Sequence, residues 1–211
     1  MKQKTSKKTR KIFIIEHLEK KLFEWCLIEY ENISKILKSG KNKNNKNDLW
    51  FTNIKNINKK DRQKLKRFGR VFRESVKRLD INNSEICVLD PEASKTLNPN
   101  ECDNFRYFIF GGILGDYPPK KRTKKELTRF FPNSSVRNIG KEQMSTDNAV
   151  YTVQQIIKKG KKLNELKFVD GITIEINEFE SVDLPYLYNL IGKKPFLSKE
   201  LIRYLRKKKG F

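Results

Sequence analysis

The chain is poor in the residues that most enzymes use for metal or nucleophile chemistry. It has a single histidine, His17, and three cysteines, Cys26, Cys87 and Cys102. One imidazole excludes a His-rich metal centre, and no Ser-His-Asp arrangement can be built around it with any support from spacing. The cysteines lie far apart, are odd in number and show no CxxC spacing. That argues against a disulfide framework and against a structural zinc site. We therefore expect no metal, and place Cys26 and Cys87 in the core. No apolar run approaches the ~20 residues that span a bilayer. The basic start at residues 1–11 is followed by neither an apolar h-region nor a small-residue cleavage site. These absences lead us to expect a soluble protein of the cytoplasm.

Acidic charge is also scarce. Against 47 Lys and Arg stand 25 Asp and Glu, a formal net charge of +22 over 211 residues. Such an excess favours an anionic partner, most simply RNA or a ribonucleoprotein. Lysine and asparagine are abundant throughout, so a solvated basic surface accounts for the charge equally well.

What is present is a set of short β-rich runs alternating with helical periodicities. Residues 11–15 (KIFII), 49–54, 86–89 (ICVL), 105–110, 134–139 and 172–176 read as strands. Residues 22–37 carry apolar groups at helical spacing, as do 58–79, where Leu65, Phe68, Val71, Phe72, Val76 and Leu79 recur at i+3 and i+4. A short helix is expected over 123–131, with Thr123 and Glu126 as a capping box. A longer one is expected over 146–159, capped by Ser145 or Thr146 and stopped by Gly160. A basic helix closes the chain at 198–209. Leu184-Pro185-Tyr186 is taken to end the last strand region. The pattern predicts a single α/β domain over residues 11–211, with a mainly parallel sheet flanked by helices. Residues 1–10 form a basic tail, and the Lys/Asn-rich stretch 38–48 has nothing to bury and reads as a mobile loop.

Three loops follow three of these strands. They are Asp90-Pro91-Glu92, the segment from Gly111 to Pro119, and the segment from Gly140 to Asp147. In a parallel sheet such loops gather at the carboxyl edge and can form one pocket. In the second, an apolar run (107–110) ends in Gly111 and Gly112, with Gly115, Asp116 and two prolines close behind. Glycine there permits φ > 0 or close approach of a ligand to bare backbone. No loop matches a Walker A or GxGxxG sequence. The inventory of backbone groups, apolar side chains and acids fits an adenosine cofactor without phosphates better than a dinucleotide. Glu16, Glu19, Glu24 and Glu29 cluster around the end of the first strand and the next helix. They read either as solvated helix acids or as a negative pocket for a cationic side chain, since paired carboxylates match the donor fork of a guanidinium.

The segments KIFIIEHLEKKLFEWCLIEYENIS, VLDPEA, FIFGGILGDYPPKKRT and RNIGKEQMSTDNAV, in this order, resemble the SPOUT-class S-adenosylmethionine-dependent methyltransferases. The subfamily is the one that includes a fungal protein-arginine methyltransferase acting on a small-subunit ribosomal protein, with archaeal relatives described as RNA methyltransferases. The likeness covers residues 11–188. It implies a deep trefoil knot in the carboxyl-terminal part and S-adenosylmethionine as cofactor. It implies that Leu89 and Pro91 line one wall of the cofactor site. Gly111, Gly112, Ile113, Leu114, Gly115 and Asp116 would form a second, and Asn138, Ile139, Gly140, Gln143, Met144 and Thr146 a third. The implied activity is arginine N-methylation of a ribosomal protein, with Glu16, Glu19 or Asp116 orienting a guanidinium nitrogen and taking its proton. RNA methylation by the same fold and a non-catalytic ribosome-binding module are the alternatives. The basic surface then contacts rRNA and disfavours self-association, which points to a monomer. The Lys/Asn-rich loop at 41–48 and the lysine-rich tails depart from the family pattern.

Overall fold

The computed structural model describes residues 10–39 and 48–207. The expected loop at 38–48 and the tail at 1–10 lie outside these residues, except at their edges. Six strands form one parallel sheet: β1 (Ile12–His17), β2 (Leu49–Thr52), β3 (Arg70–Val71), β4 (Ile86–Leu89), β5 (Tyr107–Gly112) and β6 (Ser135–Arg137), in the order β3-β2-β1-β5-β4-β6. The α/β expectation holds. Apolar residues run almost without break through β1, β2, β4 and β5, as they must when both faces are covered.

The two faces bury different sets. Phe13, Ile15, Phe51, Cys87, Phe108 and Phe110 pack under the helices α1 (Glu24–Lys38), α2 (Lys59–Phe68) and α4 (Thr146–Lys159). Ile12, Ile14, Trp50, Val88 and Ile109 pack on the other face against Val76, Leu127 and Phe131. Alternation along β1 therefore sends the Glu16 side chain to the second face and that of His17 to the first.

A smaller antiparallel sheet, β7 (Phe168–Glu175), β8 (Ser181–Ile191) and β9 (Lys194–Pro195), packs with α5 (Lys199–Lys207) against Trp25 and Ile28 of α1. Among the described residues no helix is long and apolar enough to cross a membrane.

Four sequence expectations need correction. The basic helix over 58–79 stops at Phe68. At Gly69 a Cβ would lie 2.3 Å from the Leu49 carbonyl oxygen, so only glycine lets the chain turn in and pair as β3 beside β2. Its apolar residues consequently divide between the two faces, Leu65 to one and Phe72, Val76 and Leu79 to the other. The helix expected at 123–131 is a short α3 (Arg122–Glu126) followed by a 3-10 turn, Thr128–Phe130. Thr123 does not cap it, because the N-cap is Lys121, and Glu126 instead pairs with Arg122.

The strand at 172–176 belongs to the antiparallel sheet, where Leu184-Pro185-Tyr186 sits inside β8. The bulge is in β8, where Pro185 and Tyr186 together stand opposite the single Gly171 (φ +67°), and Pro185 has no N–H to give to the ladder. Strand β5 does not stop at Phe110: Gly111 and Gly112 belong to it and pair with Glu16 and His17 of β1.

Candidate active site

The loops after β4, β5 and β6 meet at the carboxyl edge of the sheet and enclose a cavity of about 440 Å³. Its walls include Leu89, Pro91, Gly111, Ile113, Leu114, Gly115, Asp116, Ile139, Gly140, Gln143, Met144 and Thr146. Lys120, Lys121, Arg122 and Lys141 also line it, together with the acids Asp90, Glu92, Asp116 and Glu142.

Buried polar side chains hold the three loops together. Asn138 donates from Nδ2 to the Ala93 carbonyl (2.8 Å), and its Oδ1 accepts from Thr96 Oγ1 (3.0 Å) and the Gly140 N–H (3.2 Å). Asp90 accepts from Thr128 Oγ1 at 2.6 Å and from the Glu92 N–H at 2.9 Å. Gln143 donates to the Asp116 carbonyl at 3.2 Å, tying the second loop to the third. Gly140 carries φ +109°, so the backbone freedom expected of glycine is used here, whereas no residue of 111–119 has positive φ.

Several expected site residues stand elsewhere. Glu16 is fully buried on the opposite face. Its Oε2 accepts from Thr52 Oγ1 at 2.5 Å and from the Val76 N–H at 2.9 Å, and its Oε1 from Ser75 Oγ. It borders a separate basic cleft with Asn53, Lys55, Arg73 and Lys77. Glu16 and Glu19 thus do not share a face.

Glu19 sits behind the cavity wall, where its Oε1 accepts from the Leu114 N–H (3.0 Å) and from Arg122 Nη1 (2.7 Å). Arg122 reaches Glu126 as well, at 2.8 and 3.2 Å, and these carboxylates raise its already high pKa. Gly112 lines no wall: a Cβ there would meet the Tyr30 hydroxyl at 2.4 Å, so its bareness makes room for helix α1. Asn138 is a brace rather than a lining group. His17 is a core residue, bonded at 2.9 Å to the Tyr30 hydroxyl, with its pKa lowered chiefly by burial.

A second chamber, of about 270 Å³, adjoins the first across Ile113, Leu114, Gly115 and Met144. Phe23, Trp25, Tyr186 and Tyr204 surround it, with Ser145 and the Glu29 carboxylate. Glu29 accepts from Trp25 Nε1 at 2.8 Å and from the Thr146 N–H at 3.3 Å. Burial, then the nearby Asp147 carboxylate, push its pKa up to about 8. Of the four acids expected as a group, only Glu29 faces either of these two chambers. Sequence reasoning gave no sign of the aromatic walls, because Trp25, Tyr186 and Tyr204 come from α1, β8 and α5 and share no local pattern.

A family model described as "Protein arginine N-methyltransferase SFM1-like" matches residues 12–210. The chain is 33% identical over 207 residues to the protein arginine N-methyltransferase SFM1 of Saccharomyces cerevisiae, covering 92% of this chain and 94% of that one. This chain belongs to the SFM1-like family.

The crystal structure of yeast SFM1 complexed with S-adenosylmethionine (SAM) superposes with a TM-score of 0.80 at 32% identity, over 94% of this chain and 91% of that one. The complex with S-adenosylhomocysteine (SAH) gives 0.78 at 32%, over 92% and 94%. A dual specific Trm10 from Thermococcus kodakaraensis shares the fold, with a TM-score of 0.54 at 20% identity over 74% of this chain and 96% of that one. The resemblance to the subfamily with the fungal arginine methyltransferase, and the α/β fold with a mainly parallel sheet flanked by helices, are thereby borne out; the trefoil knot stays what the resemblance implies.

The cavity suits such a cofactor. Its size lies within the ordinary range of small-molecule sites. Its apolar floor (Leu89, Ile139, Met144) can take a flat base, and the bare backbone around Gly111, Gly115 and Gly140 can take polar edges.

Proposed function

We propose that this protein is a SAM-dependent protein-arginine N-methyltransferase, that it methylates a ribosomal protein, and that it works as a monomer in the cytoplasm. The single observation that carries the reading is its 33% identity, along almost the whole chain, to a protein named as an arginine methyltransferase. The cavity at the strand ends agrees with it. Leu89, Pro91, Gly111, Ile113, Leu114, Gly115, Ile139, Gly140, Gln143, Met144 and Thr146 hold the cofactor in this reading, within the trefoil knot that the family resemblance implies. When bound, SAM supplies an electrophilic methyl group.

The chain itself must bring a guanidinium to that methyl, exclude water and take one N–H proton from the alkylated nitrogen. A free guanidinium has a pKa above about 12, so a positioned carboxylate is needed to draw the proton. Asp116 lines the cavity and is held by Lys120 at 2.7 Å. It is the member of the expected acid set placed to take that proton. Glu19 acts indirectly, by fixing the Leu114 backbone. Glu16 has both oxygens engaged away from the cavity and serves the fold.

RNA is the second reading. The exposed Phe130 ring has Lys77 Nζ 3.4 Å and Arg129 4.6 Å from its centroid, a basic aromatic edge of the kind that grips nucleic acid. The test is transfer of labelled methyl from SAM to ribosomes, followed by separate ribonuclease and protease digestion. Label in methylarginine of a ribosomal protein is the expected result; label lost on ribonuclease treatment would overturn it.

A further inference from the structure

We infer that the chamber bounded by Trp25, Glu29, Tyr186 and Tyr204 is the seat of the substrate guanidinium, with Glu29 as its carboxylate partner; this rests on the arginine reading above. The chamber shares the wall of Ile113, Leu114, Gly115 and Met144 with the cofactor cavity, so a side chain seated in it ends beside that cavity. Its described lining contains one carboxylate and no lysine or arginine, in a chain of net charge +22. A cation entering here meets the one group of those described walls that can become its counter-charge, by giving up a proton. The remaining walls are Phe23, Trp25, Tyr186 and Tyr204, with Ser145. Aromatic rings attract a cation when water is excluded, and a planar guanidinium stacks on them better than an ammonium.

The carboxylate is prepared for a fork. Oε1 takes the Trp25 indole N–H and Oε2 the Thr146 N–H, which fixes the group and leaves one lone pair on each oxygen. Its neighbours explain its charge state. Asp147 on α4, the Tyr186 and Tyr188 phenols on β8, Tyr204 on α5 and Cys26 on its own helix all lie around it, and none supplies a positive charge. With its pKa near 8, the empty site holds a proton that an arriving guanidinium displaces. Phe23 is 36% exposed and stands at the mouth, with Lys21 Nζ 4.8 Å from its ring centroid.

The test is calorimetry of the full chain in the presence of SAH, with the probe peptides acetyl-Gly-Arg-Gly-amide and acetyl-Gly-Lys-Gly-amide. Two buffers of different ionisation enthalpy are used. At pH 7 the arginine peptide is expected to bind at least tenfold more tightly than the lysine peptide and to release close to one proton. Glu29→Gln, which keeps an acceptor for Trp25, should weaken the arginine peptide at least tenfold and abolish the proton release. SAH affinity should stay within twofold. Tyr204→Leu, at the rim on a surface helix, should weaken the arginine peptide severalfold without touching the proton count. Arginine-peptide binding by Glu29→Gln equal to that of the unaltered chain overturns the inference, as does failure of the unaltered chain to bind the peptide at millimolar concentration. Label found in ribosomal arginine at an undiminished rate with Glu29→Gln overturns the chamber assignment alone. Label found in RNA overturns both the chamber and the arginine reading.

Discussion

The Tyr186 hydroxyl donates to the Gly115 carbonyl at 3.3 Å, and the same ring fills the space where a Gly115 side chain would begin. An added Cβ would lie 2.4 Å from Tyr186 Cε1 and 2.7 Å from Gln143 Nε2. Gly115 is thus the thin partition between the two chambers, and β8 presses on it from outside. Gly115→Ala must displace the tyrosine, the glutamine or the loop. Overpacking of this kind costs about 1–3 kcal/mol, and about 1.4 kcal/mol is a tenfold change in affinity. If the free loop relaxes outward, the cost is met on binding: we expect SAM affinity by calorimetry to fall roughly tenfold, with the thermal midpoint of the SAM-free chain lowered by no more than about 2–4 °C.

Glu16 separates stability from activity. Its carboxylate is buried, and the Thr52 and Ser75 hydroxyls and the Val76 N–H all donate to it. Glu16→Ala removes the acceptor of three donors. Thr52 keeps the Ile15 carbonyl at 3.4 Å and Ser75 is half-buried, so the Val76 N–H is the group most fully orphaned. A buried donor left unsatisfied costs about 1–3 kcal/mol. Urea denaturation should show a loss of about 1–3 kcal/mol. Folded Glu16→Ala protein should still bind SAM within a few-fold of the unaltered chain. Full stability with lost cofactor binding would place Glu16 back in the site.

The sheet, α1, α4 and the three pocket loops were legible because each depends on short-range pattern. Unbroken apolar runs mark parallel strands, and Gly160 (φ +63°) marks the end of α4. What could not be read depends on partners distant in sequence. Gly69 breaks a continuous helical periodicity only because the Leu49 carbonyl lies against it. Gly112 looks like a ligand-facing glycine, yet it yields to Tyr30, and the two lie 82 positions apart in the chain. Pro185 reads as a terminator until it is seen in a bulge of β8, with Tyr186, opposite Gly171. The four acids near the first helix were indistinguishable by spacing. Tertiary placement sends Glu16 behind the sheet, Glu19 to a salt bridge and Glu29 to a cavity.

Arg122 braces the second loop from behind. It is two-pronged on Glu126, contacts Glu19 at 2.7 Å and reaches the Leu18 carbonyl at 3.3 Å. Glu19 in turn fixes the Leu114 N–H. A lysine has one ammonium and cannot span these acceptors in a plane. Arg122→Lys is expected to lower SAM affinity about fivefold to tenfold, equivalent to roughly 1 kcal/mol. Hydrogen exchange should quicken at Leu114 specifically. An unchanged Leu114 amide would show that the loop is held without the ion pair.

Glu29 also gives the folded protein a pH dependence of a definite sign. Its pKa is raised from the ordinary 4.5 to about 8, so the folded state holds a proton that the unfolded chain releases. Stability must then fall as pH rises from about 4.5 to about 8, and level off above that. His17 acts oppositely: its pKa is lowered from 6.5 by burial, so stability rises with pH as the unfolded imidazole loses its proton. The two slopes partly cancel below pH 6.5, and Glu29 dominates above it. Each tenfold change in proton affinity is worth about 1.4 kcal/mol, so the Glu29 effect across the window is on the order of a few kcal/mol. Glu29→Gln removes the titration without removing the acceptor for Trp25. Denaturation at pH 8 should therefore find Glu29→Gln more stable than the unaltered chain, with the difference shrinking toward pH 5. An equal difference at both pH values would mean that the Glu29 carboxylate is already ionised in the empty chamber.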